Sequence, residues 1–254
     1  MKPPSPTLRL VAAPTNVPFF DSIAQTSELM DQIRPAMERV IQSQRFILGE
    51  EVAAFEREIA AYVGVKHAIG VSSGTDALTI ALSALGIGEG HEVITTPYTF
   101  FATTGAILRV GATPVFVDIE RDSFNLDAER VTEALTPRTR AILPVHLFGQ
   151  AADMRALRTV ADTNALALIE DAAQALGATL HGQRAGALEI SAASAFFRPR
   201  TWVLSAMAGW SPRTTTASPS WLARSGAMAS APNISANAWE ATTGWTRYRL
   251  RYSV

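Results

Sequence analysis

The regular alternation of short apolar runs with amphipathic segments, up to residue 197, most constrains how this chain can fold. Six runs rich in β-branched residues are bounded by turn residues: His67–Ser73, Glu92–Pro97, Thr113–Ile119, Arg140–His146, Ala165–Asp171 and Ile190–Phe197. Such continuous apolar runs are typical of parallel strands buried on both faces. Helices are predicted at about Glu28–Ser43, Glu50–Tyr62, Thr75–Leu85, Thr99–Arg109, Asp127–Leu135 and Ala152–Asn164. This order predicts a three-layer α/β domain with a mostly parallel sheet.

The length, charge and composition of the chain exclude several classes of partner. A chain of 254 residues can bury a substantial core, and one large domain fits it better than two small ones. A formal net charge of −1 gives no long-range attraction to nucleic acid or an anionic membrane, and no run approaches the roughly 20 apolar residues of a spanning helix. With no cysteine and four scattered histidines, the chain offers no metal spacing. We therefore expect a cytoplasmic protein without a metal, nucleic-acid or membrane partner.

The alternation ends after Phe197. Residues 198–254 are rich in Ala, Ser, Thr, Arg and Pro, and Glu240 is their single acidic residue. This composition predicts an aberrant, disordered tail. The tail also holds all five tryptophans of the chain, which is unusual for a disordered linker.

The genetic code offers a second explanation for the tail. When the codons of Arg198 to Trp210 are read from a start two bases later, the first base of each original codon becomes the second base of a shifted codon. The protein sequence therefore restricts which amino acids the shifted frame can encode. With permitted codon choices, the shifted frame encodes Ser-Lys-Asn-Leu-Gly-Ala-Phe-Gly-Asp-Gly-Gly-Met. Restoring one base then places a lysine three residues after Phe197. We hypothesise that a single-base deletion near codon 198 put the rest of the gene out of frame.

The segment Val71–Leu78 lies where a predicted strand gives way to a helix. Helix N-termini present unpaired N–H groups and a positive dipole end, so they bind phosphate well. Gly74 would let the backbone approach an anion closely, while Ser73 and Thr75 offer hydroxyls. Ser, Thr and Asp are also the ordinary N-cap residues, so a plain helix cap is an open alternative.

Two further strand ends carry candidate ligand-binding side chains. An aromatic residue in Thr96–Thr103 could stack on a flat heterocycle or simply belong to the core. Asp171 ends a buried strand, where open α/β sheets bind ligands, and its carboxylate could pair with a protonated pyridine nitrogen. The alternative is a solvent-facing cap with Glu170 turned outward.

Five sequence motifs, in the same order along the chain, are shared with one enzyme family. They are Pro18–Asp21, Arg45–Gly49, Ser72–Leu78, Pro144–Gln150 and Glu170–Gln174. The stretch 17–197 resembles the DegT/DnrJ/EryC1/StrS family, the sugar aminotransferases of fold type I that depend on pyridoxal 5'-phosphate (PLP). The resemblance implies an N-terminal extension at 1–16, an incomplete large domain at 17–197 without the C-terminal small domain, and the tail at 198–254.

The resemblance also implies roles for individual residues. Gly74 and Thr75 would hold the cofactor phosphate, and Phe100 would stack on its ring. Asp171 would meet the pyridine nitrogen, and Gln174 would lie near the 3-hydroxyl group. The family moves an amino group, commonly from glutamate or glutamine, onto a nucleotide-linked keto-sugar in polysaccharide or antibiotic sugar biosynthesis, and its members act as homodimers.

The lysine that binds the cofactor in this family has no counterpart here. Lys2 and Lys66 are the only lysines of the chain, and the family's lysine position falls among Arg198, Pro199 and Arg200. Arginine stays protonated and cannot take the Schiff-base role. We therefore expect no catalytic residue, no covalent PLP and no activity. Two alternatives are a non-catalytic remnant or binding subunit of the family, and an unrelated α/β nucleotide-binding module.

Overall fold

The computed structural model describes residues 23–188, 191–195 and 202–206. The predicted N-terminal extension, 1–16, and all of the 198–254 segment except 202–206 lie outside these residues. The chain divides into two compact units, Met1–Glu51 and Val52–Val254. The first unit contains helix α1, where Arg39 Nε lies 2.7 Å from Glu51 Oε1 on an exposed face.

The helices follow the predicted order. They are α1 (Ile23–Ser43), α2 (Glu50–Val63), α3 (Gly74–Ala84), α4 (Phe101–Arg109), α5 (Ala128–Glu133) and α6 (Met154–Thr163). Three begin at capping side chains: Ser73, Asp127 and Asp153 each accept a hydrogen bond from a backbone N–H of the first turn. Within the described ranges, no helix combines the length and apolar character needed to cross a membrane.

A seven-stranded sheet forms the middle layer of the second unit. Its strands are β1 (His67–Val71), β2 (Glu92–Thr95), β3 (Thr113–Phe116), β4 (Thr139–Ile142), β5 (Ala167–Asp171), β8 (Ser191–Ala195) and β9 (Trp202–Ala206), in the spatial order β1-β9-β8-β5-β4-β2-β3. Strand β9 alone runs against its neighbours, so the other six are mutually parallel. Their carboxyl ends therefore meet at one edge of the sheet, and the predicted α/β class with a mostly parallel sheet is confirmed.

Strands β2, β4 and β5 are covered on both faces because neighbouring residues of each strand point to opposite sides of the sheet. Val93, Ala141 and Ile169 contact Leu82 and its neighbours on α3 and α4. On the other face, apolar residues of β2, β4 and β5 pack against α5 and α6. The expectation of doubly covered parallel strands therefore holds for β2, β4 and β5, whereas β1 and β3 are partly exposed.

Two elements differ from the sequence predictions. A short hairpin, β6 (Thr179–Leu180) and β7 (Gln183–Arg184), was not predicted because two-residue strands have no measurable periodicity. Strand β9 lies inside the segment predicted to be a disordered tail. Its backbone pairs with β1 on one side and β8 on the other, so a short apolar run satisfies two strand edges at once. The remainder of that segment stays a prediction.

One acidic side chain is buried where β2 begins. Glu92 is 5% exposed and accepts hydrogen bonds from Thr136 Oγ1 and, at 2.8 Å, from Arg138 Nε. These donors lower the pKa of the Glu92 carboxyl below its usual value. A lowered pKa contributes stability above the pKa of the unfolded chain, and that contribution is lost as the pH falls.

The two-sided core predicts a strong contrast between two leucines. Leu82 on α3 is fully buried, whereas Leu108 on α4 is 53% exposed. We expect Leu82→Ala to lower the free energy of unfolding by about 2–5 kcal/mol and Leu108→Ala by about 0.5 kcal/mol or less. Urea denaturation followed by circular dichroism measures both. Equal losses in the two variants would contradict this assignment of the core.

Candidate functional site

The N-terminus of α3 lies at the carboxyl edge of the sheet, directly after β1. Ser73 caps the helix, since its Oγ accepts the N–H of Asp76 at 3.0 Å. The cap interpretation of this segment is therefore correct. It leaves the N–H groups of Gly74 and Thr75 as first-turn donors, which have no partner within an α-helix. A capped helix start and an anion-binding helix start are thus compatible in this loop.

Asp171 ends β5 at the same edge of the sheet and is 5% exposed. Its Oδ2 accepts the hydroxyl of Thr103 at 2.8 Å, and its Oδ1 accepts the backbone N–H of Ala173 at 3.2 Å. Among the residues that the structure describes, no salt bridge reaches this carboxylate. Burial raises the pKa of the Asp171 carboxyl, while the hydrogen bonds from Thr103 and Ala173 act in the opposite direction.

Helix α4 connects the two parts of this edge. Thr103 in its first turn contacts Asp171 on β5, and Arg109 in its last turn lies 3.2 Å from Asp76 Oδ1 on α3. Helices α3 and α4 also share one apolar cluster. One helix therefore fixes both the start of α3 and the end of β5.

Glu170 does not face solvent. It is fully buried, and its Oε2 accepts the N–H of Gly186 at 2.8 Å and lies 3.0 Å from His146 Nε2. The other ring nitrogen of His146 accepts the N–H of Ala152 at 3.2 Å, so the imidazole proton lies on Nε2. The outward-turned alternative for Glu170 is wrong, because neighbouring side chains of a central strand both enter covered layers. His146 is a satisfied core histidine.

Phe100 and Gln174 lie at this edge with exposed side chains. Phe100 precedes α4 as its N-cap residue and is 73% exposed. The Gln174 amide oxygen accepts the N–H of Phe148 at 3.1 Å, which holds the turn after β5 against the turn after β4. Phe148 has a left-handed backbone, with φ of 53°, and its ring meets the Tyr98 ring edge-on at 6.5 Å.

The five predicted cofactor residues therefore lie at the carboxyl edge of one sheet. Gly74 and Thr75 follow β1, Phe100 follows β2, and Asp171 and Gln174 lie at the end of β5. Direct contacts link Asp171 to α4 and Gln174 to Phe148. The role of Thr103 could not be predicted from the sequence. Its one local signal is its position four residues after Thr99, at the start of a helix.

Asp171 and Glu92 predict opposite pH dependences of stability. The pKa of Asp171 is higher in the folded protein than in the unfolded chain, where it is about 4. Wild type should therefore lose stability relative to Asp171→Asn as the pH rises from the unfolded pKa through the folded pKa. Because the folded pKa of Glu92 is lowered, wild type gains stability relative to Glu92→Gln as the pH rises over the acidic range. Urea denaturation between pH 3 and pH 8 measures both differences. The same slope for the two variants would refute the assigned environments.

Relatives with this sequence pattern are sugar transaminases and related proteins. The chain is 50% identical over 181 residues to the dTDP-3-amino-3,4,6-trideoxy-alpha-D-glucose transaminase of Streptomyces venezuelae, an alignment that covers 71% of this chain and 48% of that protein. It is also 50% identical over 182 residues to the pleiotropic regulatory protein of Geobacillus stearothermophilus, covering 72% and 49%. The chain thus spans about half the length of the curated relatives it matches.

Solved structures share the fold. DesV of S. venezuelae, in complex with a ketimine intermediate, superposes with a TM-score of 0.74 at 43% identity, over 84% of this chain and 56% of that chain. NtdA of Bacillus subtilis, with bound cofactor PMP, gives 0.71 at 32% identity, over 76% and 45%. The family model of the DegT/DnrJ/EryC1/StrS aminotransferases matches residues 27–206. The predicted resemblance is confirmed, and the chain belongs to the DegT/DnrJ/EryC1/StrS aminotransferase family.

Proposed function

We propose that this chain carries the cofactor half of a PLP-dependent aminotransferase acting on a nucleotide-linked keto-sugar, with glutamate or glutamine as donor. The Streptomyces venezuelae relative, a dTDP-sugar transaminase, supports the substrate class. The buried carboxylate of Asp171 at the end of β5 carries the proposal. Family membership excludes the unrelated nucleotide-binding module.

The described residues fit the two polar ends of the cofactor. A phosphate at the start of α3 would receive the N–H groups of Gly74 and Thr75, together with the positive end of the helix dipole. Phe100 is exposed beside the strand ends and offers a ring face, and Gln174 is held in place by Phe148. When bound, PLP supplies the electron sink for reactions at an amino-bearing carbon.

The charge of Asp171 supports this assignment more specifically. A carboxylate that is 5% exposed is costly unless a positive charge or hydrogen bonds compensate it. Two hydrogen bonds reach Asp171, but burial still raises its pKa. A protonated pyridine nitrogen would provide the missing positive charge, and Asp171 would in turn hold the proton on that nitrogen.

We further propose that this 254-residue chain does not catalyse transamination. In the intact family, a lysine amine holds the cofactor and moves the proton, and the chain carries arginine and proline at 198–200 instead. The chain would then act as a non-catalytic remnant or binding subunit. Pairing into a homodimer, as in relatives, belongs to the same proposal.

The tail is explained by the deleted base near codon 198. The shifted frame supplies the lysine and the Gly-Asp-Gly-Gly text that family members carry after their paired phenylalanines. Three of the alignments to curated relatives span 181 to 183 residues, close to the length of the 17–197 stretch, and the family model matches through residue 206. Similarity of this length is what a frame change near codon 198 predicts.

The cofactor site can be tested without the missing lysine, because pyridoxamine 5'-phosphate binds non-covalently. We expect the chain to bind it, and Asp171→Asn to weaken binding about tenfold or more through loss of a charge-assisted contact. Asp162→Asn makes the same chemical change on the exposed face of α6 and should have no effect. Isothermal titration or cofactor fluorescence measures the affinities. Equal binding by all three proteins, or binding by none, would contradict the assigned site.

The frame hypothesis predicts a gain of covalent chemistry. Restoring one base near codon 198 should yield a protein that shows the visible absorbance of lysine-bound PLP and a borohydride-stable adduct by mass spectrometry. The 254-residue chain, treated in parallel, should show neither signal. Turnover of a keto-sugar or a covalent PLP adduct in the unrepaired chain would refute the proposed inactivity.

A further inference from the structure

Two threonines at the start of α4 form a hydrogen-bonded chain that ends at Asp171. Thr103 is fully buried, and its Oγ1 lies 2.8 Å from Asp171 Oδ2. The hydroxyl of Thr99, which is half-buried, lies 2.8 Å from the same Thr103 oxygen. The three side chains therefore run from the loop after β2 to the end of β5.

The direction of these bonds follows from the number of protons. Each hydroxyl has one proton to donate, whereas an ionised carboxylate only accepts. When Asp171 is charged, Thr103 must donate to it, so Thr99 must donate to Thr103. A protonated Asp171 would instead have a proton of its own to donate. The arrangement in which both threonines donate towards β5 thus matches the charged carboxylate.

Threonines on helices α3, α5 and α6 form a different kind of hydrogen bond. Thr79, Thr132, Thr159 and Thr163 each donate to the backbone carbonyl four residues earlier, at 2.7–3.1 Å. That local bond is the usual one for a helical threonine. Thr103 forms its bond with a carboxylate 68 positions away in the chain. Its hydroxyl therefore connects α4 to β5.

We propose that Thr103, supported by Thr99, is a positioning residue that fixes the orientation of the Asp171 carboxylate and favours its charged form. The inference rests on the proposed role of Asp171 as partner of the cofactor ring nitrogen. The backbone N–H of Ala173 holds the other oxygen, Oδ1, so the two bonds together define the plane of the carboxylate. A carboxylate held in this way needs no reorganisation when a cationic ring nitrogen binds.

The titratable groups around this carboxylate are few in the described part of the chain. Glu170 is bound to His146 and Gly186, and the other ring nitrogen of His146 accepts the N–H of Ala152. Both groups stay unchanged in the variants chosen below. A change in the titration of Asp171 in those variants therefore reports the threonine hydroxyls.

Three variants separate the hydroxyl from its packing. Thr103→Val keeps the shape and removes the hydroxyl, Thr103→Ser keeps the hydroxyl, and Thr99→Val removes only the second donor. Carbon-13 NMR of the Asp171 side-chain carboxyl measures its pKa in each protein. We expect Thr103→Val to raise that pKa by about one unit, Thr99→Val to raise it less, and Thr103→Ser to leave it near wild type. An unchanged pKa in folded Thr103→Val, or in folded Thr99→Val if the first variant does not fold, would overturn the inference.

Measuring the affinity of each variant for pyridoxamine 5'-phosphate tests the positioning role of Thr103 separately from the proposed cofactor site. We expect Thr103→Val to bind it several-fold more weakly than Thr103→Ser. Binding by no variant, alongside the expected pKa changes, would refute the cofactor site and leave the role of the threonines standing. Wild-type affinity in Thr103→Val despite a raised pKa would refute the positioning of the carboxylate for the cofactor.

Discussion

The burial of one carboxylate at the end of β5 organises the candidate site. A charged group that is removed from water requires donors or an opposite charge, and the fold supplies donors from two directions. One comes from the turn that immediately follows the strand, at Ala173, and one comes from α4, at Thr103. The site is thus built around a group that the fold only partly compensates, a common property of functional sites.

Helix α4 links the carboxylate at the end of β5 to the start of α3. Its first turn is tied to β5 and its last turn to the start of α3 through the Arg109–Asp76 ion pair. The side chain of Arg109 is 53% exposed, so that ion pair contributes little energy and mainly orients the two helices. The apolar cluster beneath them supplies the stability. Polar contacts set the geometry of the edge, and buried aliphatic surface holds it together.

Much of this arrangement could be predicted from the sequence because its signals are local. Apolar runs of strand length, a capped helix start at Ser73 and an acid after a buried strand all lie within a few residues of one another. The partner of Asp171 could not be predicted in the same way, since Thr103 is remote in sequence and threonine is common at helix starts. The burial of Glu170 was missed because an acid beside a strand end gives no sign of a distant histidine. Strand β9 was missed because the composition of its surroundings differs from that of the sheet.

Strand β9 has a consequence for the exposed edges of the sheet. Its register with β1 and β8 depends on main-chain groups, which every non-proline amino acid supplies alike. The backbone of Trp-Val-Leu-Ser-Ala therefore fills the position between those strands. An unpaired strand edge presents free N–H and C=O groups that can pair with another chain. A polypeptide that pairs β1 and β8 through its own β9 presents fewer such edges to other chains.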